Sequence, residues 1–208
     1  GWEPSVKETK EPKTKKAAPV AAVSDETVTA EKKEPVKISM LSVGDNLIHD
    51  GIYEQAKKRS KNGGYDFSYA YKNIASTVEK ADLATINQET IIAKSYEPSG
   101  YPLFNSPQEV GEEVKKIGFD VVNLANNHML DKGAKGLSEA IDFWNNIGGI
   151  TMTGAYKDEN DMNRLEYIEK DGIKIGLVGI TRYTNGLSLP KDLSLIHISE
   201  PTRLRRIS

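Results

Sequence analysis

The sequence predicts an α/β fold with a mainly parallel inner sheet, and three observations predict it. Short apolar, β-branched runs recur along the chain, and each of the first three stops at polar residues: Val36–Val43 at Gly44-Asp45-Asn46, Leu83–Asn87 at Gln88-Glu89, and Phe119–Leu124 at Ala125-Asn126-Asn127-His128. Buried strands of parallel sheets read as such runs. Between them lie stretches whose apolar residues recur at helical spacing, and Gly pairs or single Gly residues stop these stretches. Strands alternating with helices define an α/β sandwich.

Taken in order, residues 1–35 are Lys, Glu, Pro, Ala, Thr and Val without periodicity. Such a segment buries too little apolar surface to offset its ordering entropy and is expected to be a disordered, flexible linker. The globular domain is expected over residues 36–190. After the first strand, Ile52, Tyr53 and Ala56 mark a helix closed by Asn62-Gly63-Gly64, and Phe67, Tyr71, Ile74, Val78 and Ala81 form a second helical stripe. Leu83–Asn87 is the second strand, and Tyr96–Asn105, with two prolines and a glycine, is an irregular loop. Ser106-Pro107-Gln108-Glu109 combines a capping box with Pro at the first helical position. Val110, Val114 and Ile117 are that helix's buried face, and Gly118 ends it. After the third strand, Leu137, Ala140, Ile141, Trp144 and Ile147 form the next inner stripe, stopped by Gly148-Gly149; Ile150–Thr153 is a fourth strand. Leu165–Glu169 and Ile173–Ile180 read as a hairpin around Lys170-Asp171-Gly172.

Residues 191–208 depart from everything before them. From Leu193 the chain has no period and turns basic, in the manner of a translated adapter read-through, and His197 receives no role.

Composition narrows the function. The 208 residues carry a formal charge of -2, so no basic field points to nucleic acid. There is no cysteine, which removes thiolate metal sites and a cysteine nucleophile together. No run of about 18 apolar residues is present to span a membrane. The chain begins at Gly1, so an upstream signal or anchor is compatible with it.

Open α/β sheets bind ligands beyond the carboxyl ends of their strands. There the sequence places Asp45, Asn46 and His49, then Glu89, then Asn126, Asn127, His128 and Asp131. Oxygen and imidazole donors without thiolate suit Mn²⁺, Mg²⁺, Zn²⁺ or Fe²⁺. A bridging carboxylate with two ions about 3.5–4 Å apart can clamp an in-line displacement. Each residue also has a plainer reading. Asp45 or His49 can cap a helix, Glu89 can be solvated, Asn126 and Asn127 can be turn residues, and Asp131 can be an N-cap or can hold the His128 ring in one tautomer.

Three segments carry a resemblance: Gly44-Asp45-Asn46-Leu47-Ile48-His49, Asn87-Gln88-Glu89-Thr90 and Ala125-Asn126-Asn127-His128-Met129-Leu130-Asp131-Lys132-Gly133. With Ser99–Pro107 and Thr153-Gly154-Ala155-Tyr156, they resemble the CapA family of poly-γ-glutamate capsule biosynthesis proteins, related in fold to calcineurin-like metallophosphoesterases. The resemblance covers about residues 36–190. It implies an α/β/β/α sandwich of the metallophosphoesterase type, incomplete in this chain, with Asp45, Glu89 and Asn127 as ligands of a divalent metal centre, expected to be two ions. It also implies His128 as the acid or electrostatic stabiliser beside the metals. His49 is a further metal candidate and Asp131 a catalytic partner of His128. The implied partners are an anionic polymer such as poly-γ-glutamate and membrane-bound capsule synthesis subunits, on the extracellular face of a bacterial membrane. Leu47 stands where the wider phosphoesterase pattern has a paired histidine, and the family's later histidine motifs are absent before the basic tail, so a truncated domain is expected.

Three functions follow as expectations. The first is a metal-dependent hydrolase acting on a phosphoester or amide-type centre, with His128 protonating the leaving group. The second is a polymer-binding or scaffold subunit without turnover. The third, a Gly-Asp-Ser type serine hydrolase, lacks a nucleophile because Asn46 occupies that position.

Overall fold

A computed structural model describes residues 34–164 and 166–188. The tail expected over residues 191–208 lies outside the described residues, as does the linker expected over residues 1–35 apart from Glu34 and Pro35. From Val36 onward the described residues belong to one unit.

The elements run β1 (Met40–Asp45), α1 (Asp50–Arg59), α2 (Ser68–Tyr71), α3 (Ala75–Lys80), β2 (Leu83–Asn87), α4 (Gln108–Lys116), β3 (Val121–Asn123), α5 (Gly133–Ile147), β4 (Thr151–Thr153), α6 (Glu159–Met162), β5 (Glu166–Lys170) and β6 (Ile173–Leu177). The first four strands form one parallel sheet in the order β1-β2-β3-β4, and β5-β6 form a separate antiparallel hairpin. The fold is therefore mixed α/β, as the sequence predicts, and consistent with an incomplete phosphoesterase-like architecture.

Strand order equal to chain order has a consequence. Parallel crossovers are right-handed almost without exception, so sequential crossovers in one direction place their helices on one face of the sheet. The core agrees. Ala56, Phe67, Val78, Val110, Val114, Leu137, Ile141 and Trp144 from the helices cluster with Ala84, Ile86 and Val122 from the strands, with Leu41, Val43 and Met152 packed against them. Alternate strand positions point the other way. Ser42, Thr85, Asn87, Asn123, Thr151 and Thr153 line that second face, and Thr85 Oγ1 donates to Ser42 Oγ at 3.0 Å. That second face is mixed, because Leu83 and Val121 also lie on it and are buried.

Several boundaries differ from the sequence reading for tertiary reasons. The first strand starts at Met40, not Val36, because Ser39 and Asp82 bracket the ladder: Ser39 N and Oγ donate to Asp82 Oδ2 at 2.8 and 2.7 Å. The expected single stripe from Phe67 to Ala81 is two short helices, divided by a turn in which Ile74 N donates to Tyr71 O. The third strand is three residues, Val121–Asn123, and short α6 has no counterpart in the sequence reading.

The capping box at Ser106 does not form. Pro107 is the N-cap of α4, with no side-chain capping bond. Ser106 Oγ pairs instead with Thr90 Oγ1 at 2.7 Å, and Glu109 Oε1 accepts from Tyr65 N at 3.2 Å. Ser106 is buried, and a buried hydroxyl with a tertiary partner outcompetes the local cap.

The hairpin turn follows its sequence. Asp171 (φ 50°) and Gly172 (φ 79°) both take positive φ, as a type I′ turn requires.

Candidate functional site

The carboxyl ends of β1, β2 and β3 are held side by side by their own polar residues. Asp45 pairs with Asn87 and Asn87 with Asn123 in the sheet register. The side chains continue that pairing: Asn87 Nδ2 donates to Asp45 Oδ1 at 2.7 Å, and Asn123 Nδ2 donates to Asn87 Oδ1 at 2.9 Å. A second, buried network runs beneath. Tyr71 OH donates to Asn46 Oδ1 at 2.8 Å, Asn46 Nδ2 to Gln88 Oε1 at 2.7 Å, and Gln88 Nε2 to Thr90 O at 2.7 Å. Burial pushes the Tyr71 phenol well above its ordinary value, so Tyr71 is a fixed donor and Asn46 is structural. Satisfied buried networks of this kind make loop ends rigid.

This scaffold brings together Asp45, Glu89, His128 and Asp131. Burial, followed by the charge of the nearby Asp45 carboxyl, raises the affinity of the Glu89 carboxyl for a proton. His128 Nε2 stands 3.9 Å from Glu89 Oε1. The other ring nitrogen, Nδ1, is 2.8 Å from Asp131 Oδ2, which also accepts from Phe104 N at 2.7 Å. Asp131 is fully buried. Burial raises its pKa above the usual carboxylate value, while the bonds from Phe104 and His128 oppose that shift. Asp131 is thus the partner of His128 and not an N-cap; Lys132 holds the N-cap position of α5.

Asn126 locks the loop: its Nδ2 donates to Gln88 O at 2.9 Å and its Oδ1 accepts from His128 N at 3.0 Å. Asn127, next in the chain, is half-buried and donates from Nδ2 to Asn185 Oδ1 at 3.3 Å. His49 is the N-cap residue of α1, exposed, with Nδ1 paired to Asp50 at 3.1 Å and its ring perpendicular to Phe104. Phe104 also packs perpendicular to His128, with ring centroids 4.8 Å apart.

Two contributors escaped the sequence reading. Phe104 lies in the irregular loop; its backbone N–H donates to Asp131 and its ring packs on His128. Asn185 comes from far along the chain, and only the Asn185-Gly186 turn dipeptide marks its position in the sequence.

Among the described residues no group of three or more His, Cys, Asp or Glu is placed to hold a metal ion. The donor set still has a cation's character. Asp45 and Glu89 bring two acidic side chains near each other, and burial with the Asp45 charge raises the Glu89 pKa. Carboxylate and amide oxygens are the donor types that hard divalent ions prefer.

Comparison with known proteins agrees with the geometry. The family model of the bacterial capsule synthesis protein PGA_cap matches residues 39–196, and the chain belongs to that family. Capsule biosynthesis protein CapA of Bacillus anthracis is 26% identical over 154 residues, covering 72% of this chain and 36% of that protein. Two proteins of Sinorhizobium fredii, y4uA and y4sH, are each 28% identical over 108 residues, covering 49% of this chain and 21% of theirs. The chain therefore spans about a third of the CapA relative's length.

Proposed function

We propose that this chain carries the cation-binding, hydrolase-like site of a capsule biosynthesis protein and acts on an anionic cell-surface polymer such as poly-γ-glutamate. The observation that carries this reading is the Asp45–Glu89 carboxylate pair set against a histidine whose far nitrogen is held by a buried carboxylate. Asp45, Glu89 and Asn127 hold one divalent ion, Mn²⁺, Zn²⁺, Fe²⁺ or Mg²⁺. A second ion, the two-ion form of the same reading, would draw on His49, whose Nδ1 pairing with Asp50 leaves Nε2 available.

Such an ion would lower the pKa of water and polarise a phosphoester or amide-type centre. The chain's own residues do the rest. Asp131 accepts the hydrogen bond from His128 Nδ1–H and so presents Nε2 toward Glu89 and the reacting centre. With Nε2 protonated, the ring donates to the leaving group, and buried Asp131 balances the imidazolium charge. The cation also answers an electrostatic problem: a polycarboxylate would otherwise meet Asp45 and Glu89 as like charges. The capsule role draws on the family, and the further partners proposed are membrane-bound capsule synthesis subunits at the extracellular face of a bacterial membrane. Among the described residues no helix is long and apolar enough to cross a membrane.

The test is Mn²⁺-dependent hydrolysis of a chromogenic phosphodiester and of a γ-glutamyl oligomer by the full chain. Loss of turnover by at least about 10²-fold in His128→Ala supports the acid role; retained turnover sinks it. A non-catalytic, polymer-binding reading is favoured by the absence of a three-ligand acidic or imidazole group among the described residues. Cation-dependent polymer binding without any turnover would establish it instead.

A further inference from the structure

A trough runs along α1, leading away from the His128 site. Ile52, Gln55 and Arg59 recur at helical spacing and share one face of α1, while Ala56 on the neighbouring face is buried in the core. The short helix α2 supplies the other wall through Tyr69, and the two helices border an open cavity of about 370 Å³. His49, the N-cap residue of α1, stands at one end of it and Arg59 at the other. At 1.5 Å per residue, the ten residues of α1 span about 15 Å.

The His49 end adjoins the site. The His49 ring stands perpendicular to Phe104 with centroids 5.2 Å apart, and Phe104 stands perpendicular to His128 at 4.8 Å. The trough therefore begins two ring contacts from His128. The one acid there is occupied: Asp50 Oδ1 accepts from Gly51 N at 2.9 Å and faces His49 Nδ1 at 3.1 Å.

The Arg59 end gathers positive charge. Arg59 is half-buried, and its Nε and Nη2 donate to Asp66 O at 3.4 and 3.2 Å. A backbone carbonyl so placed orients the guanidinium without neutralising it and leaves Nη1 for another acceptor. The Asp66 carboxylate is engaged elsewhere, since Ser68 N and Oγ donate to it at 3.0 and 2.6 Å. Tyr69 is 58% exposed, with the Arg59 guanidinium carbon 5.2 Å and Lys72 Nζ 4.1 Å from its ring centroid. One exposed ring thus attracts two cations, and an anion beside them would relieve their mutual repulsion.

We propose that this trough is a binding subsite for an extended anionic chain. An oxyanion of the chain, carboxylate or phosphate, meets Arg59 and Lys72 at the Tyr69 end. The body of the chain lies along Ile52 and Gln55 and enters the His128 site past His49. Guanidinium and ammonium donors hold such oxyanions by charge-assisted bonds. The proposal rests on the reading that the site acts on an anionic polymer, and it adds a requirement for length. A ligand must reach about 15 Å to use both ends, and a small ester engages only the His128 end. No bound metal is needed for this contact.

The test is fluorescence anisotropy with the full chain in the presence of a chelator, so that binding is read without metal or turnover. The probes are labelled γ-glutamyl oligomers of two and eight residues, and a labelled polyphosphate similar in length to the longer one. The parent should bind a long probe about tenfold or more tightly than the two-residue oligomer, and the tighter long probe names the anion. Removing a charge-assisted bond commonly costs about tenfold, so Arg59→Gln should weaken the long probe by that factor and Arg59→Lys by less. Lys72→Gln should weaken it severalfold; Lys72 is exposed, so this variant carries the test if Arg59→Gln fails to fold. Equal affinity for short and long probes would overturn the proposal, as would parental affinity in both Arg59→Gln and Lys72→Gln. So would failure of the parent to bind any probe. Turnover of the chromogenic phosphodiester by the parent judges the His128 site separately, so the two readings fail by different measurements.

Discussion

Asp131 Oδ2 accepts from His128 Nδ1 at 2.8 Å while its side chain is wholly buried, and the same oxygen accepts from Phe104 N at 2.7 Å. A carboxylate so placed does two jobs at once. It sets which ring nitrogen carries the proton, and it ties the irregular loop before α4 to the end of β3.

Replacing Asp131 by Asn should therefore change the tautomer of His128 without emptying the position. An amide nitrogen facing Nδ1 favours the ring form protonated at Nε2, the reverse of the parent. The ¹⁵N chemical shifts of His128 read this directly, and turnover of a phosphodiester with Mn²⁺ should fall by about 10²-fold or more. Unchanged ring shifts would show that Asp131 does not set the tautomer.

The metal-free chain should lose stability as pH rises through the range above the ordinary Glu value. Burial and the neighbouring Asp45 raise the Glu89 pKa in the folded chain, so the folded state holds that proton more tightly than the unfolded state does. The stabilisation is present below the unfolded value and is lost as pH rises through the folded one. Glu89→Gln should remove this pH dependence and melt higher than the parent at neutral pH in the presence of a chelator. A parent melting curve independent of pH across that window would count against the shift.

Adding Mn²⁺ should reverse the same penalty. A ligand at 100 times its dissociation constant stabilises by about 2.7 kcal/mol, and that gain should vanish in Asp45→Ala. His49→Ala should keep most of it, since the His49 ring is exposed and paired with Asp50. Equal loss in both variants would bring His49 into the cation's ligand set.

Gly154→Ala should destabilise the chain by about 1–3 kcal/mol. Its φ of 87° disfavours any L side chain, and the added Cβ would meet Ala125 Cβ at 2.6 Å and Ala125 N at 2.7 Å. Thermal melting measures the loss. If the approach to Ala125 relaxes instead, the variant will retain the parent's melting temperature.

Much of the fold was legible because it rests on local periodicity. Leu83–Asn87 is a strand in both readings, and the Val110-Val114 and Leu137-Ile141-Trp144 stripes lie buried in the core. Ser106 shows where local rules end. Its capping signature was clear, yet Thr90 lies 2.7 Å away in the fold and takes the hydroxyl.

By itself the sequence determined that apolar runs end in Asp45, Glu89 and Asn126-Asn127-His128, and parallel pairing then makes those ends neighbours. Side-chain period and strand direction suffice for that. The tertiary structure alone decided what each of them faces. It set Glu89 against Asp45, engaged His49 with Asp50, buried Asp131 beneath His128, and brought Asn185 onto Asn127. The Glu89–Asp45 and Asn185–Asn127 approaches depend on packing between segments far apart in the chain, and neither they nor the burial of the Asp131 carboxylate has a signature in local periodicity.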